Sequence, residues 1–202
     1  MFPIPPISPV NSGSKELTRL QMTAERKAAS KARPDAGRHA ARIFFDNIPL
    51  PDDAIVSLYH PLPDELDTKP LADELIARGR TIALPVTPRK RERLIFRAYS
   101  EGDTLAPDRN GIMTPAETAP VVSPTIVVTP LLAFTRDGAR LGYGGGYYDR
   151  TLKALRASSD IIAVGFAFSA QELKKLPMTK TDQWLDWIVT EREAINAGRS
   201  GA

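Results

Sequence analysis

The chain contains no cysteine and only two histidines, His39 and His60. Without cysteine it has no disulfides, no thiolate nucleophile and no cysteine-ligated zinc or iron–sulfur centre. Two histidines leave little room for a histidine-rich metal site or a catalytic triad built on histidine. These absences exclude most thiol-based and histidine-based classes of site.

Long apolar runs and a large net charge are also missing. No segment approaches the roughly 18 consecutive apolar residues that span a bilayer, and the N-terminus has no charged segment followed by an apolar one. We therefore expect no membrane partner, no secretion and a cytoplasmic location. The formal net charge is only +3, so a surface for nucleic acid is not expected, and an anionic small molecule fits as well.

The length of 202 residues suits one substantial α/β domain and is short for two. Residues 1–14 are proline-rich and lack periodicity, which predicts a flexible lead. Predicted strands then alternate with predicted helices, which favours a mainly parallel sheet covered on both faces. We expect a monomer with a single domain over residues 15–195 and a flexible tail over residues 196–202.

Residues 131–150, with the sequence LLAFTRDGARLGYGGGYYDR, are the most distinctive stretch. They follow an apolar run at 125–129 that predicts a short buried strand. Asp137 and Gly138 predict a tight turn. Four glycines within residues 142–146 then lead into a helical pattern that starts at Tyr147. Glycines let backbone N–H groups converge on an anion, and a helix N-terminus adds partial positive charge.

Two charged side chains flank these glycines. Arg140 can add bidentate contacts to a phosphate, and Asp149 can hold a divalent cation that bridges phosphate oxygens. The stretch matches neither of the phosphate-binding patterns GxxxxGK[ST] and GxGxxG. The residues alone therefore leave two interpretations open: a phosphate site, or a glycine-rich turn that lets a hairpin pack close to a helix.

The string RLGYGGGYYDR, preceded by PLLAFTRDG, resembles the signature of the 5-formyltetrahydrofolate cyclo-ligase family (5,10-methenyltetrahydrofolate synthetases). A weaker resemblance extends over residues 27–191. It implies a three-layer αβα fold with a mainly parallel central sheet, like that of sugar-phosphate isomerases and CoA transferases. It also implies that ATP and Mg²⁺ are used to convert 5-formyltetrahydrofolate to 5,10-methenyltetrahydrofolate, with release of ADP and phosphate.

The resemblance places the nucleotide phosphates between the glycines and an N-terminal helix, predicted over residues 16–33. In the family this helix supplies a lysine and, four residues later, an arginine. Lys27 matches the lysine, and Lys31 replaces the arginine without its planar fork; from the residues alone, both lie on a solvated basic face. We expect Arg140 and Lys27 to be catalytic. The residues assigned to ATP are Lys27, Lys31, Arg140, Leu141, Gly142, Tyr143, Gly144, Gly145, Gly146, Tyr147 and Tyr148.

The folate is assigned to the loop that follows the first predicted core strand. Glu65-Leu66-Asp67-Thr68 resembles the family's E-[IV]-[DE]-T motif, whose glutamate contacts the pterin, so Glu65 is assigned to substrate. Asp67 and Thr68 are assigned to capping the next helix. His60 and Tyr147 are further substrate candidates, although a surface or structural role suits His60 equally well.

The metal is assigned to Asp149 and Asp182, because Asp182 matches the aspartate before the family's last strand. Asp186 competes with Asp182, but we expect Asp186 to organise the turn into that strand. Tyr147 and Tyr148 are expected to border the ligands, unless one of them packs its ring beneath the glycine stretch.

Two other functions remain open. One is a non-catalytic relative that binds nucleotide or RNA, suggested by Lys31 and by Asn110, which stands where the family often has an aromatic residue. The other is a sugar-phosphate isomerase, for which no general base is evident. The basic segment 88–93 is expected to be an exposed hairpin tip, which can attract a polyglutamylated folate tail.

Overall fold

The computed structural model describes residues 12–88, 92–108 and 111–198. The helices are α1 (Ser12–Ala32), α2 (Ala36–Asn47), α3 (Lys69–Ala77), α4 (Tyr147–Arg156) and a 3-10 helix, Ser169–Gln171. The strands are β1 (Ile55–Ser57), β2 (Thr81–Val86), β3 (Ile95–Tyr99), β4 (Leu105–Pro107), β5 (Met113–Pro115), β6 (Ile126–Thr129), β7 (Ala133–Phe134), β8 (Arg140–Leu141), β9 (Ile162–Phe166), β10 (Trp187–Val189) and β11 (Ala194–Asn196). Within these described residues, no helix combines the length and the apolar content needed to cross a membrane.

Seven strands form one sheet in the order β11-β10-β9-β6-β1-β2-β3. The five central strands are parallel to one another, whereas the edge strands β3 and β11 pair antiparallel with their neighbours. The pairs β4–β5 and β7–β8 are small antiparallel ribbons outside this sheet. The prediction of a mainly parallel central sheet is confirmed.

Helices cover both faces of the sheet, as the alternation of side chains in β6 shows. Val128 belongs to a buried cluster with Phe44 of α2 and Leu71 of α3. Its neighbour Val127 belongs to a second cluster with Leu152 of α4. Because successive side chains of a strand point to opposite faces, α2 and α3 lie on one side and α4 on the other. The predicted three-layer αβα architecture is confirmed.

Helix α1 packs outside these layers, against the β7–β8 ribbon. Met22 of α1 forms a small buried cluster with Leu132 and Leu141. The C-terminal end of α1 is held by an ion pair of 3.1 Å between the Arg33 guanidinium and the buried Glu191 carboxylate. Helix α1 is thereby fixed beside the glycine-rich stretch that follows β8.

The predicted hairpin and the helix after it are confirmed. Strands β7 and β8 pair antiparallel, and Gly138 adopts a φ of +90° between them. A side chain at Gly138 would meet the Leu185 carbonyl oxygen at 2.4 Å, so the turn needs glycine both for its backbone angle and for close packing. Helix α4 begins at Tyr147, as predicted.

Other boundaries differ from the prediction. Helix α1 begins at Ser12, inside the expected lead; the rest of that lead, residues 1–11, lies outside the described residues. The segment 102–120 contains the β4–β5 ribbon, which the sequence pattern did not predict. Ser169, the first residue of the 3-10 helix, donates its hydroxyl to the buried Glu191 carboxylate.

Candidate active site

A cavity of about 820 Å³ opens beyond the carboxyl ends of the parallel strands. His60 follows β1, Thr87 follows β2 and Pro130 follows β6, and all three line the cavity. Ligands of open α/β sheets bind at this end. The remaining walls come from α1, from the glycine loop (residues 142–146), from the first turn of α4 and from residues 181–182.

The glycine loop is bent and held from both sides. Gly144 and Gly146 have φ values of +98° and +66°, which side chains with a Cβ rarely adopt. Arg19 of α1 donates Nε–H to the Gly142 carbonyl at 2.9 Å, and Arg150 donates to the Gly145 carbonyl at 2.9 Å. Helix α4 starts directly after Gly146, so its electropositive end lies at the cavity wall.

Arg140 is a buried cation in the cavity wall, with a side chain 5% exposed. Its Nη2 donates to Asp149 Oδ1 at 2.7 Å, and the same oxygen accepts the Gln183 backbone N–H at 3.0 Å. Among the described residues, the buried Nε–H of Arg140 has no hydrogen-bond partner. An unpartnered guanidinium N–H in a cavity wall suits an anionic oxygen.

The cations that α1 presents to the cavity are Lys15 and Arg19. Lys27 and Lys31 have exposed side chains and do not line it, so the structure does not bring these two sequence-assigned residues to the site. Lys27 lies 12 residues after Lys15 on α1, and Lys31 lies 12 residues after Arg19. Because an α-helix has 3.6 residues per turn, a separation of 12 residues places them on a different face of the helix and further along its axis. Lys15 and Arg19 themselves form a lysine followed four residues later by an arginine, which is the spacing that could have identified them.

The two predicted metal ligands line the same cavity. Asp182 Oδ2 accepts from Lys15 Nζ at 2.6 Å and from the Thr179 amide at 2.8 Å. Partial burial alone would raise the pKa of Asp182, but these hydrogen bonds outweigh it and lower the pKa. Among the described residues, no group of three or more His, Cys, Asp or Glu side chains is arranged so that it could hold a metal ion.

Two carboxylates still fit Mg²⁺, which is commonly held by one or two carboxylates together with phosphate oxygens and water. Asp186, the competing candidate, accepts from Arg156 at 2.8 Å and from the Ala163 amide at 2.7 Å. Asp186 therefore organises the entry into β10, as predicted.

Glu65 is buried at the cavity wall, with a side chain 5% exposed. Its Oε1 accepts from Arg26 Nη1 at 3.2 Å, and its Oε2 accepts from the Leu62 amide at 3.0 Å. Burial raises the pKa of Glu65, and the Leu62 amide and Arg26 oppose that rise without cancelling it. The structure thus provides a fixed hydrogen-bond acceptor at the place assigned to the pterin.

The loop that carries Glu65 is anchored at its ends. The Tyr59 hydroxyl donates to the Leu66 carbonyl at 2.7 Å, and Asp67 Oδ1 accepts the first amide of α3 at 2.9 Å, which confirms its predicted capping role. Thr68 occupies the cap position of α3, but its hydroxyl donates to the Tyr59 carbonyl. The prediction that the Thr68 side chain caps α3 is therefore wrong. His60 lies exposed at the cavity rim.

Four tyrosines border the cavity: Tyr59, Tyr143, Tyr147 and Tyr148. Tyr148 lies under Arg140, with the guanidinium carbon 5.6 Å from the ring centroid. Tyr147 contacts Arg150 in the same way at 5.1 Å. Both rings also pack against the buried cluster beneath α4, so each residue has a packing role, and their contact with a ligand stays a prediction. Tyr143 stands on the glycine loop, 52% exposed.

Other cavity residues were not identified from the sequence: Lys15, Arg19, Arg150, Lys153 and Thr181. Two predictions concern residues outside the described ranges. One is that the basic residues at 89–91 attract a polyglutamylated folate tail, and the other concerns Asn110, which stands where the family often has an aromatic residue.

Comparison with known proteins agrees with this geometry. The model of the 5-formyltetrahydrofolate cyclo-ligase family matches residues 11–191. The chain belongs to this family. The 5-formyltetrahydrofolate cyclo-ligase of Escherichia coli (strain K12) is 33% identical over 161 residues, which cover 77% of this chain and 88% of that protein. The corresponding protein of Haemophilus influenzae is 35% identical over 134 residues, covering 64% of this chain and 70% of the relative.

Cyclo-ligase family membership extends to the three-dimensional structure. An NMR structure of Aquifex aeolicus 5,10-methenyltetrahydrofolate synthetase aligns with a TM-score of 0.73 and 28% identity, covering 93% of this chain and 94% of that chain. The fold is therefore shared over most of both chains.

Proposed function

We propose that this protein is a 5-formyltetrahydrofolate cyclo-ligase, which uses ATP and Mg²⁺ to form 5,10-methenyltetrahydrofolate, ADP and phosphate. One observation carries the proposal. A single cavity joins a glycine loop at a helix start, five cationic side chains, two aspartates and a buried glutamate. Family membership supplies the reaction, and the cavity supplies groups suited to each of its substrates.

The reaction needs charge neutralisation more than a protein nucleophile. A formamide oxygen is a poor leaving group, so it first attacks the γ-phosphorus of ATP and ADP departs. N10 of the folate then attacks the formyl carbon and phosphate leaves, which closes the ring. Phosphoryl transfer is accelerated chiefly by positioning and by stabilisation of charge on the phosphoryl oxygens. A site without cysteine or a buried histidine is compatible with this chemistry.

Lys15, Arg19 and Arg140 are proposed to bind the phosphates together with the backbone of the glycine loop. Arg140 is suited to the transferred phosphoryl group, because its Nε–H is buried and without a partner among the described residues. Arg19 already holds the Gly142 carbonyl, so it can fix the loop while its remaining N–H groups address the nucleotide.

Asp149 and Asp182 are proposed to hold the Mg²⁺. A Mg²⁺ held there would neutralise the negative charge that develops on the phosphate oxygens. Asp149 lies on α4 and Asp182 lies ahead of β10, and the hydrogen bond from the Gln183 amide to Asp149 joins the two segments. Their contribution would be to hold the cation beside Lys15 and Arg140, the side chains proposed to bind the phosphates.

Glu65 is proposed to recognise the pterin. A carboxylate can accept hydrogen bonds from the adjacent N–H donors of a pterin, and Glu65 is fixed in the cavity wall by Arg26 and the Leu62 amide. Tyr147 and His60 border the same space. We also propose that the enzyme is a cytoplasmic monomer.

Purified protein mixed with 5-formyltetrahydrofolate, Mg²⁺ and ATP should develop the long-wavelength absorbance of the methenyl product. Omission of ATP, or chelation of Mg²⁺, should stop that increase, and ADP and phosphate should appear in equal amounts with the product. ATP hydrolysis without methenyl formation, or no reaction with ATP still bound, would contradict the proposal.

A further inference from the structure

Arg26 is a buried charge on α1, with a side chain only 2% exposed. Burial of a guanidinium is costly unless the group is paired and hydrogen-bonded. Arg26 is paired twice: Nη2 lies 2.9 Å from Asp64 Oδ2, and Nη1 lies 3.2 Å from Glu65 Oε1. The buried cation is therefore dedicated to the loop that carries the pterin-recognising carboxylate.

The geometry of these pairs requires arginine. Two nitrogens of one planar group address two different carboxylates, whereas a lysine has a single nitrogen on a flexible stem. The second oxygen of Glu65 is held by the Leu62 amide at 3.0 Å. With both oxygens held, the Glu65 carboxylate is fixed in rotation, and Arg26 is the side chain that fixes its Oε1 edge.

Tyr143 connects this pair to the glycine loop. Its ring centroid lies 5.3 Å from the Arg26 guanidinium carbon, and its hydroxyl lies 3.5 Å from Glu65 Oε1. The tyrosine stands between Gly142 and Gly144, at the place proposed for the phosphates. Tyr143 therefore provides a contact route from the glycine loop to Arg26 and Glu65.

We propose that Arg26 is a positioning residue: it holds Glu65 in the folate-binding orientation and, through Tyr143, couples folate binding to nucleotide binding at the glycine loop. The inference rests on the proposed function, because it takes the nucleotide and the folate as the two ligands. Such coupling is reciprocal, so each ligand tightens the binding of the other by the same factor.

Calorimetry tests the coupling without turnover. The affinity for 5-formyltetrahydrofolate is measured with and without Mg²⁺ and a β,γ-imido analogue of ATP. In the unmodified protein the analogue should tighten folate binding about fivefold or more. The coupling ratio is the dissociation constant for folate without the analogue divided by the constant with it. In Arg26→Met and Tyr143→Leu this ratio should fall to about one. Arg26→Lys should not restore it, because charge alone does not reproduce the fork.

Arg42→Met, at an exposed position on α2, is the matched arginine control and should keep the full ratio. An unchanged ratio in Arg26→Met, or a ratio of one in the unmodified protein, overturns the inference. If Arg26→Met fails to fold, Tyr143→Leu decides, because Tyr143 is 52% exposed. Turnover by the unmodified protein is assayed separately: its absence defeats the proposed function, whereas turnover with an unaffected ratio defeats only the coupling.

Discussion

Lys15 and Asp182 form an ion pair across the cavity, with Nζ 2.6 Å from Oδ2, although 167 positions separate them in the sequence. Arg140 and Asp149 form a second pair at 2.7 Å. Each pair joins a proposed phosphate ligand to a proposed metal ligand. We expect both pairs to exchange partners when MgATP binds, with the cations turning to phosphate and the carboxylates to the metal.

Lys15→Met is expected to weaken ATP binding about tenfold or more, because a charge-assisted hydrogen bond to phosphate is lost. Lys27→Met is expected to leave ATP affinity unchanged, since Lys27 is exposed away from the cavity. The KM for ATP, measured for both variants, compares two lysines of the same helix. The reverse result, with Lys27 essential and Lys15 dispensable, would restore the assignment made from the sequence.

The same ion pair predicts a dependence of stability on pH. Hydrogen bonds from Lys15 and the Thr179 amide outweigh partial burial and lower the pKa of Asp182 below its ordinary 3.8. A carboxyl with a lowered pKa stabilises the fold above the unfolded pKa, and this contribution is lost as pH falls through the folded pKa.

Lys15→Met should therefore reduce the free energy of unfolding by about 1 kcal/mol at neutral pH, and the difference should shrink in acid. Denaturant titrations at a series of pH values measure it. Lys174→Met, at an exposed position, controls for loss of a positive charge. A difference that persists unchanged in acid would mean that Lys15 stabilises the fold by packing rather than by pairing with Asp182.

Local signals accounted for most of the fold. The tight turn at Gly138 and the helix start at Tyr147 follow from glycine chemistry and periodicity, and both were located correctly. The β4–β5 ribbon was missed, because three-residue strands such as Leu105–Pro107 carry too little alternation to be recognised. Such ribbons form through tertiary contacts rather than through local preference.

The site was harder to predict than the fold. Asp149, Arg140 and the glycine loop lie in one continuous stretch, so the sequence brought them together. Arg26 gave no signal, because a buried arginine and an exposed one look alike in a helical sequence rich in charge. Its burial depends on Asp64 and Glu65, which are 38 and 39 positions away. Pairings of this kind become visible only when the chain is folded.

Gly144→Ala tests the glycine loop. The φ of +98° at Gly144 strains any residue with a Cβ, and the new methyl group would lie 3.2 Å from Arg19 Nη2. We expect a loss of about 1–2 kcal/mol in stability together with weaker ATP binding. Gly102→Ala has a similar φ of +89° with nothing within 4 Å, so it should share the strain and keep ATP affinity. Equal ATP affinity in both variants would argue against phosphate binding at the loop.

Glu65→Gln is expected to weaken 5-formyltetrahydrofolate binding about tenfold or more, since a buried hydrogen bond to a charged acceptor is lost. In the unmodified protein, burial raises the pKa of Glu65, so the carboxylate takes up a proton at a higher pH than an ordinary glutamate does. Folate affinity should therefore weaken as pH falls toward that raised pKa. Glutamine cannot titrate, and the same pH dependence in Glu65→Gln would assign it to another group.

Arg140→Met separates the nucleotide from the folate. The substitution removes both the ion pair with Asp149 and the buried Nε–H in the cavity wall. We expect kcat/KM for ATP to fall about a hundredfold, as for other donors that stabilise charge in a transition state, while the affinity for 5-formyltetrahydrofolate alone stays within about twofold. Steady-state kinetics with varied ATP give kcat/KM, and calorimetry with 5-formyltetrahydrofolate alone gives the folate affinity. Arg42→Met serves as the control for both measurements. If folate affinity fell as far as kcat/KM, the substitution would have disrupted the cavity as a whole, and Arg140 could not be assigned to the phosphates.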